Sequence, residues 1–169
     1  MYATDDLHGG NLGGRSGSSN LCKSSVSFNL AKKINGCSNT QALLSFSNTD
    51  SALEMPNNFS FSNSIPIFNS SGRKLYKNWN NIFTNDSTTT PWDSQGIFPI
   101  RGQYDDGEFW SGSDGNGNYF GTGSTNSCLG WTTSSSNYFA RGATVANSKD
   151  FSSYNIRCDN QRRFICVCW

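Results

Sequence analysis

Six cysteines stand in a chain of 169 residues that has one histidine, and no other feature narrows the possible folds as much. A chain this long has room for one core, and cysteine-rich chains of this size close themselves with disulfides in oxidising compartments. A zinc site asks for two close cysteine pairs or a cysteine–histidine set. The only close pair is Cys166 and Cys168. The six are therefore read as disulfide partners, and the chain as extracellular or displayed at a cell surface. The first ten residues carry neither a basic nor an apolar signal region, and no run approaches the ~20 apolar residues of a spanning helix. The expectation is a single mature or excised domain, 1–169, with Met1 added for expression and any signal or anchor absent from this fragment.

Composition then says how such a core is filled. There are 27 Ser, 21 Asn and 17 Gly, which favour turns and long loops over helices. Five Trp, twelve Phe and six Tyr supply the apolar area instead. Charged residues make up 15% and the net charge is +1, so a basic nucleic-acid-binding surface is excluded.

Along the chain, a glycine-rich opening (Gly9 to Gly17) leads into one expected helix containing Leu21, Cys22, Val26, Phe28 and Leu30. Ser18 or Ser19 is its expected cap, and Gly36 its expected end. Residues 41–47, QALLSFS, fit a strand or a short second helix equally. Glu54 to Ser71, with Pro56 and Pro66, reads as irregular loop with a short extended piece at Ile65 to Phe68. The second half is a series of short aromatic-bearing runs separated by Gly, Asn, Asp and Ser, the pattern of an antiparallel sheet with long connections. Its candidate strands hold Phe98, Trp110, Trp131 and Phe164. There are no tandem repeats.

Three motifs in this half are specific: FWSGSDGNG at 109–117, CLGWTT at 128–133 and CDNQRRFICVCW at 158–169. With the Gly10-Asn11-Leu12-Gly13-Gly14 opening, they resemble the C-type lectin-like fold. The turn formed by Trp110, Gly112, Ser113, Asp114, Asn116 and Gly117 resembles that of the endostatin branch. The opening, the helix cysteine, Cys-x-x-Trp-Thr and the terminal cysteines resemble a family of bacterial surface lipoproteins of unassigned function. The resemblance implies an α+β domain, one or two short helices on a small antiparallel sheet with long irregular loops. It also implies that Cys22 pairs with Cys166 and Cys128 with Cys158, leaving Cys37 for Cys168. An exchange of Cys166 and Cys168 is the rival, because strand positions two apart face one way.

Chemistry is sparse. Asp114 to Asn118 imitates a calcium loop, but Tyr119 and Thr125 stand where an EF-hand needs Gly and Glu, so a tight structural turn is the better reading. The paired loop and strand motifs of calcium-dependent lectins do not occur; Glu54-Met55-Pro56-Asn57 is a near miss, too far upstream. Asp105, Asp106 and Glu108 form an acidic cluster of the kind that serves calcium or glycoside hydrolysis, although loop carboxylates are ordinarily only solvated. His8 has no nucleophile motif around it. The densest basic groups, Arg73, Lys74 and Lys77 and then Arg157, Arg162 and Arg163, are small for a glycosaminoglycan site. The expectation is a protein with no metal, no cofactor and no catalytic activity.

What remains is the segment between Cys128 and Cys158, where lectin-like domains place ligand-contacting loops. It offers Ser136, Asn137, Tyr138, Phe139, Arg141, Asp150, Phe151, Ser152, Tyr154 and Asn155, the aromatic and small polar vocabulary of adaptable binding surfaces. The competing reading puts Phe139 and Phe151 in the core; Trp110 and Trp131 are expected there. The expected function is calcium-independent recognition of a protein or glycan on another surface, without nucleic acid. Through the scaffold's use in diversity-generating retroelement systems, this segment is also a candidate for adenine-directed diversification. The alternatives are an endostatin-like matrix or glycosaminoglycan-binding domain and a carbohydrate-active enzyme using the loop carboxylates.

Overall fold

A computed structural model describes residues 1–84, 96–97, 108–121, 126–144, 151 and 154–169. The chain is α+β. Among the described residues, eight strands and four short helices follow the order β1 (Tyr2–Ala3), α1 (Gly14–Ser24), α2 (Val26–Asn35), β2 (Thr40–Ala42), α3 (Met55–Asn58), β3 (Ile67–Phe68), β4 (Lys74–Tyr76), β5 (Glu108–Trp110), α4 (Cys128–Trp131), β6 (Phe139–Thr144), β7 (Tyr154–Arg157) and β8 (Arg163–Cys168). No described helix is long and apolar enough to cross a membrane.

The main sheet runs β1-β8-β5-β6-β7, with β2 also paired to β8, while β3 and β4 form a separate hairpin. The sheet is not wholly antiparallel as expected: β5 and β8 are parallel, Phe109 opposite Arg163 and Trp110 opposite Phe164. Parallel pairing needs a long crossover, which the chain between β5 and β8 provides.

Alternation along β8 divides the interior in two. Ile165 and Val167 point into a core with Met1, Leu43, Trp79, Phe83, Phe109 and Phe151. Phe164 and Cys166 point into the other, with Tyr2, Leu12, Leu44, Trp110 and Trp131. The aromatic residues fill both layers, as the composition requires, and Trp110 and Trp131 are core residues as expected.

Covalent links fix the helices to this strand. Cys22 of α1 joins Cys166, Cys37 just beyond α2 joins Cys168, and Cys128 joins Cys158. These are the pairs the resemblance implies, not the exchanged set.

Local chemistry revises several expectations. The single expected helix is two, broken at Ser25, whose hydroxyl accepts from Ser27 N–H and caps α2. The Asp5 carboxylate also accepts from Val26 N–H at 2.6 Å and from the hydroxyls of Ser25 and Ser27 at 2.6 and 3.0 Å. Ser18 and Ser19 are no caps: they lie inside α1, with both hydroxyls donated to the Arg15 carbonyl. Gly36 ends α2 in the left-handed region, as expected. The 41–47 segment starts as strand β2 and continues extended, Leu43 N–H donating to Ile165 and Ser45 N–H to Ser111. Within the expected 54–71 loop lies the helical turn α3, with Pro56 in its first turn, and the extended piece is reduced to β3. Trp131 sits in α4, not a strand. Phe98 lies outside the described residues. Met1, read above as an added start, has a side chain only 4% exposed, and its amine donates to the Phe68 carbonyl at 2.5 Å.

Arg15 ties α1 to the chain below. Its guanidinium donates to the Ala42 and Leu44 carbonyls at 2.7 and 2.9 Å, grips the Asp50 carboxylate at 2.5 and 3.0 Å, and lies 4.0 Å from the Phe46 ring centroid.

Non-reducing peptide mapping is expected to return the three pairs above. Replacing both Cys22 and Cys166 with Ala leaves Cys37–Cys168 holding the long loop, so it frees a circuit of only about 17 residues and should cost about 3 kcal/mol in a denaturant titration. Gly10→Ala should also destabilise severely, by at least about 3 kcal/mol, because its Cβ would sit 2.4 Å from the Cys128 sulfur.

Candidate functional site

The segment singled out in the sequence begins at a strained turn. Through Cys128, Leu129, Gly130 and Trp131 the φ angles are 50°, 55°, 69° and 63°, so α4 is a left-handed helical turn. Three of these residues are not glycine, and each carries a penalty of roughly 1–2 kcal/mol. Surrounding bonds hold them. The buried Ser127 hydroxyl accepts from Gly130 N–H, the Trp131 indole donates to the Ser45 carbonyl at 3.0 Å, Leu12 N–H donates to the Trp131 carbonyl at 2.9 Å, and Cys128 is disulfide-bonded. Gly112 must pass beside this turn: with φ at 63°, its Cβ would lie 2.6 Å from the Ser45 carbonyl oxygen and 2.9 Å from the Trp131 ring.

From the turn the chain runs through a stitched loop. Ser135 N–H donates to the Thr133 hydroxyl at 3.1 Å, Asn137 N–H to the Ser135 hydroxyl at 3.3 Å, and Asn11 N–H reaches the Ser134 hydroxyl at 3.2 Å. Short hydroxyl side chains closing successive turns make an ordered loop from a Ser-rich sequence. Ser136 is half-buried and Asn137 exposed; half-buried Tyr138 accepts from Cys158 N–H at 3.0 Å through its carbonyl.

β6 and β7 then form an antiparallel hairpin, the outer pair of the sheet. Phe139 faces Arg157, Ala140 faces Ile156, Arg141 faces Asn155 and Gly142 faces Tyr154. Alternation puts Phe139, Arg141, Asn155 and Arg157 on one face, while Ala140 and Ile156 go into the core. Phe139 is 41% and Tyr154 50% exposed. Tyr154, opposite Gly142, belongs to the other face with Ala140 and Ile156, and is exposed at the start of β7. On the Phe139 face Arg141 is laid down: its Nη1 donates to Asn155 Oδ1 at 3.1 Å, and its guanidinium carbon lies 4.0 Å from the Phe120 ring centroid. Its buried Nε has no hydrogen-bond partner.

So six of the ten sequence-predicted contacts, Asn137, Tyr138, Phe139, Arg141, Tyr154 and Asn155, are gathered on the hairpin and the loop before it, with Ser136 beside them. Phe151 is a correction. It is 2% exposed, its ring lies against Phe83 and Phe109 at centroid distances of 5.1 and 5.9 Å, and its carbonyl accepts from the Ser111 hydroxyl. A phenyl ring in a Ser-rich run fills the core because there is little other apolar mass to do so. Asp150 and Ser152 lie outside the described residues. Sequence reasoning missed Phe120, the ring beneath Arg141; it lies 21 positions upstream, and no local pattern links the two.

Elsewhere the polar groups are engaged in structure. Asp114 Oδ1 accepts from Asn116 and Asn118 N–H at 2.9 Å each, and Gly117 has φ 82°, the expected tight turn. Glu108 pairs with Arg162 at 2.7 Å, Arg157 with Asp159 at 3.2 Å, and Arg163 donates to the carbonyls of Thr4 and Asp5. Asp105 and Asp106 lie outside the described residues. Glu54 accepts from the Asn57 amide at 2.7 Å within α3. With Asn80 and Asn116 they border a cleft of about 400 Å3, whose aromatic liners Trp79 and Phe83 are both buried, Trp79 donating its N–H to the Leu53 carbonyl. Among the described residues no three His, Cys, Asp or Glu side chains converge as metal ligands. Comparison with protein-family models finds no match for the chain, and comparison with curated proteins finds none either.

Titration adds a test of the packing. Burial lowers the Met1 amine from 8.0 to about 5, and burial, with the Arg163 charge, holds His8 below 6.5 against the pull of Asp6. Both are bases that the folded state keeps neutral, so their contribution is complete above the unfolded values and is lost as pH falls. Burial raises the Asp5 carboxyl, but hydrogen bonds from Ser25, Val26 and Ser27 outweigh it and leave the group below 3.8; its contribution is lost at still lower pH. Melting temperature should therefore fall steadily from pH 8 to pH 5, with the Met1 amine alone accounting for about 3 kcal/mol over that range. A flat profile in scanning calorimetry over that range would contradict the buried amine.

Proposed function

We propose that this chain is a non-catalytic recognition domain with a C-type lectin-like fold, binding a protein or glycan on another surface without calcium. The observation that carries the reading is the β6–β7 hairpin. It sets Phe139 exposed on one face with Asn155 and an Arg141 whose Nε is unpaired, and Tyr154 exposed on the other face of the same outer pair of strands, in a sheet tied by disulfides. Aromatic plates with few rotors supply contact area, and a ligand acceptor at Arg141 would satisfy a buried donor that otherwise costs about 1–3 kcal/mol.

Three features support the lectin-like reading: the antiparallel pairing of β1 with β8, the two helices leading into the sheet, and the Cys22–Cys166 and Cys128–Cys158 links. Backbone strain at α4 supports a functional segment just after it, since such runs persist only where the surroundings over-determine them. In the same reading the segment is a target of diversity-generating mutagenesis in an extracellular or surface-displayed protein. Sibling genes differing only between about Ser134 and Asn160 would support that extension, and differences scattered evenly through the chain would remove it.

The test is a screen of glycan arrays and displayed surface proteins with EDTA present. A ligand is expected that survives EDTA and loses about tenfold or more in affinity with Phe139→Ala or Tyr154→Ala, at unchanged melting temperature. Phe151→Ala should instead cost about 3–5 kcal/mol of stability. A ligand that is released by EDTA, or that ignores both exposed aromatics, would overturn the reading.

A further inference from the structure

Seven large apolar side chains stand exposed among the described residues, and five of them lie away from the β6–β7 hairpin. Val26, Leu30 and Ile34, 72%, 43% and 48% exposed, follow one another at intervals of four on the solvent side of α2. Phe28 and Ala31 occupy the inner side. Ile65 and Phe68, 46% and 39% exposed, continue the patch on and just before β3. The two parts touch: the Asn35 amide donates to the Asn69 carbonyl at 3.0 Å, and a Cβ at Gly72 would lie 3.1 Å from Ile34 Cγ2. Between them opens a groove of about 370 Å3, lined by Met1, Phe61, Ile65, Phe68 and Trp169.

The side-chain charges described on this face are positive. Lys32 and Lys33 are exposed in the last turn of α2, Lys23 is exposed before its start, and exposed Lys74 stands opposite Phe68 in the β3–β4 hairpin. The sequence has no Asp or Glu from 7 to 49 or from 55 to 85. Among the described residues the one carboxylate touching α2 is Asp5, consumed by capping its N-terminus.

We propose that this face seats the domain on an anionic lipid bilayer, with Val26, Leu30, Ile34, Ile65 and Phe68 entering the headgroup–acyl boundary and the lysines meeting the headgroups. Charge selects the occupant. A second copy docked symmetrically would set lysines against lysines, whereas an anionic bilayer offers apolar depth and negative charge at once. The outer side of α2 is a convex ridge, suited to a deformable surface, and the adjoining groove accommodates an acyl segment. α2 packs on β1 and β8, at the end of the sheet away from β7, so the proposal is independent of the recognition reading.

The experiment is co-sedimentation of the intact chain with phosphatidylcholine vesicles, with and without phosphatidylglycerol, over a salt series. Binding is expected only to the phosphatidylglycerol vesicles and should weaken as salt rises. Lys33→Glu and Lys74→Glu, on separate elements, should each weaken it about fivefold or more, and the Leu30→Ser/Ile34→Ser pair about tenfold, with unchanged circular dichroism. Three outcomes would overturn the proposal: no binding to anionic vesicles, binding indifferent to all these variants, or a concentration-dependent dimer that Leu30→Ser/Ile34→Ser dissolves. Capture of a purified acidic protein without vesicle binding would do the same.

Discussion

Everything in this molecule is referred to its last strand. β8 has β1 along one edge and, along the other, β5 and then β2, since Cys166 stands opposite both Tyr2 and Ala42. Four consecutive residues, Phe164 to Val167, are buried, because both faces of the strand are covered. Its side chains separate the two aromatic cores, and its two cysteines, two positions apart, carry the covalent ties to the helical side. A strand that pairs with segments from both ends of the chain closes loops of more than a hundred residues. That entropy is what Cys22–Cys166 and Cys37–Cys168 remove from the unfolded state. The same topology explains how a chain with so few aliphatic residues is held together: the cross-links lower the demand on the core, and the aromatics meet what is left.

The parts legible in the sequence are those set by a single residue type or a short-range rule. Cysteine number against one histidine pointed to disulfides, the Gly36 stop ended the helices, and Asp114 with Gly117 made a turn because an aspartate oxygen reaches two backbone N–H groups nearby. The missed parts depend on partners far away in sequence. Helix α2 starts at Ser25 because Asp5, twenty positions upstream, brings its carboxylate to that helix N-terminus; a reader of the local sequence sees only an apolar spacing that continues across the break. Phe151 looked like a contact residue because its neighbours are Ser and Asp, whereas its burial is decided by Phe83 and Phe109. Parallel pairing of β5 with β8 is invisible to strand patterning, which reports faces and not directions.

The left-handed turn at Cys128–Trp131 was the least legible feature and the most consequential for the candidate site. Only Gly130 tolerates such a φ at no cost, so the sequence gives no warning of four successive residues there. The turn exists because it is fastened at both ends. Cys128 is bonded to Cys158, Trp131 is sealed under Trp110 at a centroid distance of 5.6 Å, and Ser45 and Leu12 take up its indole N–H and its carbonyl. Its effect is to aim the chain into the stitched 132–137 loop and then into β6. In β6 and β7 the scaffold packs Ala140, Ala143 and Ile156, while Phe139, Arg141, Asn155 and Arg157 stand on the outer face.

The two kinds of cation are divided in a way that follows from their chemistry. Arg15, Arg141, Arg157, Arg162 and Arg163 each hold a carboxylate, an amide oxygen or backbone carbonyls on or beside the sheet. The five described lysines, Lys23, Lys32, Lys33, Lys74 and Lys77, are all exposed, on the helices and on or just beyond the β3–β4 hairpin. A guanidinium fork is pre-organised for planar oxygen acceptors and loses little hydration when it is partly buried; an ammonium is a strongly hydrated point charge that keeps its value only in water. Arginine is therefore mostly drawn into the architecture, Arg73 and Arg157 staying exposed, and the net charge of +1 conceals a molecule whose exposed lysines lie near five of the seven large apolar side chains exposed among the described residues. Both unsatisfied properties fall on the same elements, α2 and the β3–β4 hairpin. A surface that needed only solubility would have placed the lysines without the valine, leucine and isoleucines between them.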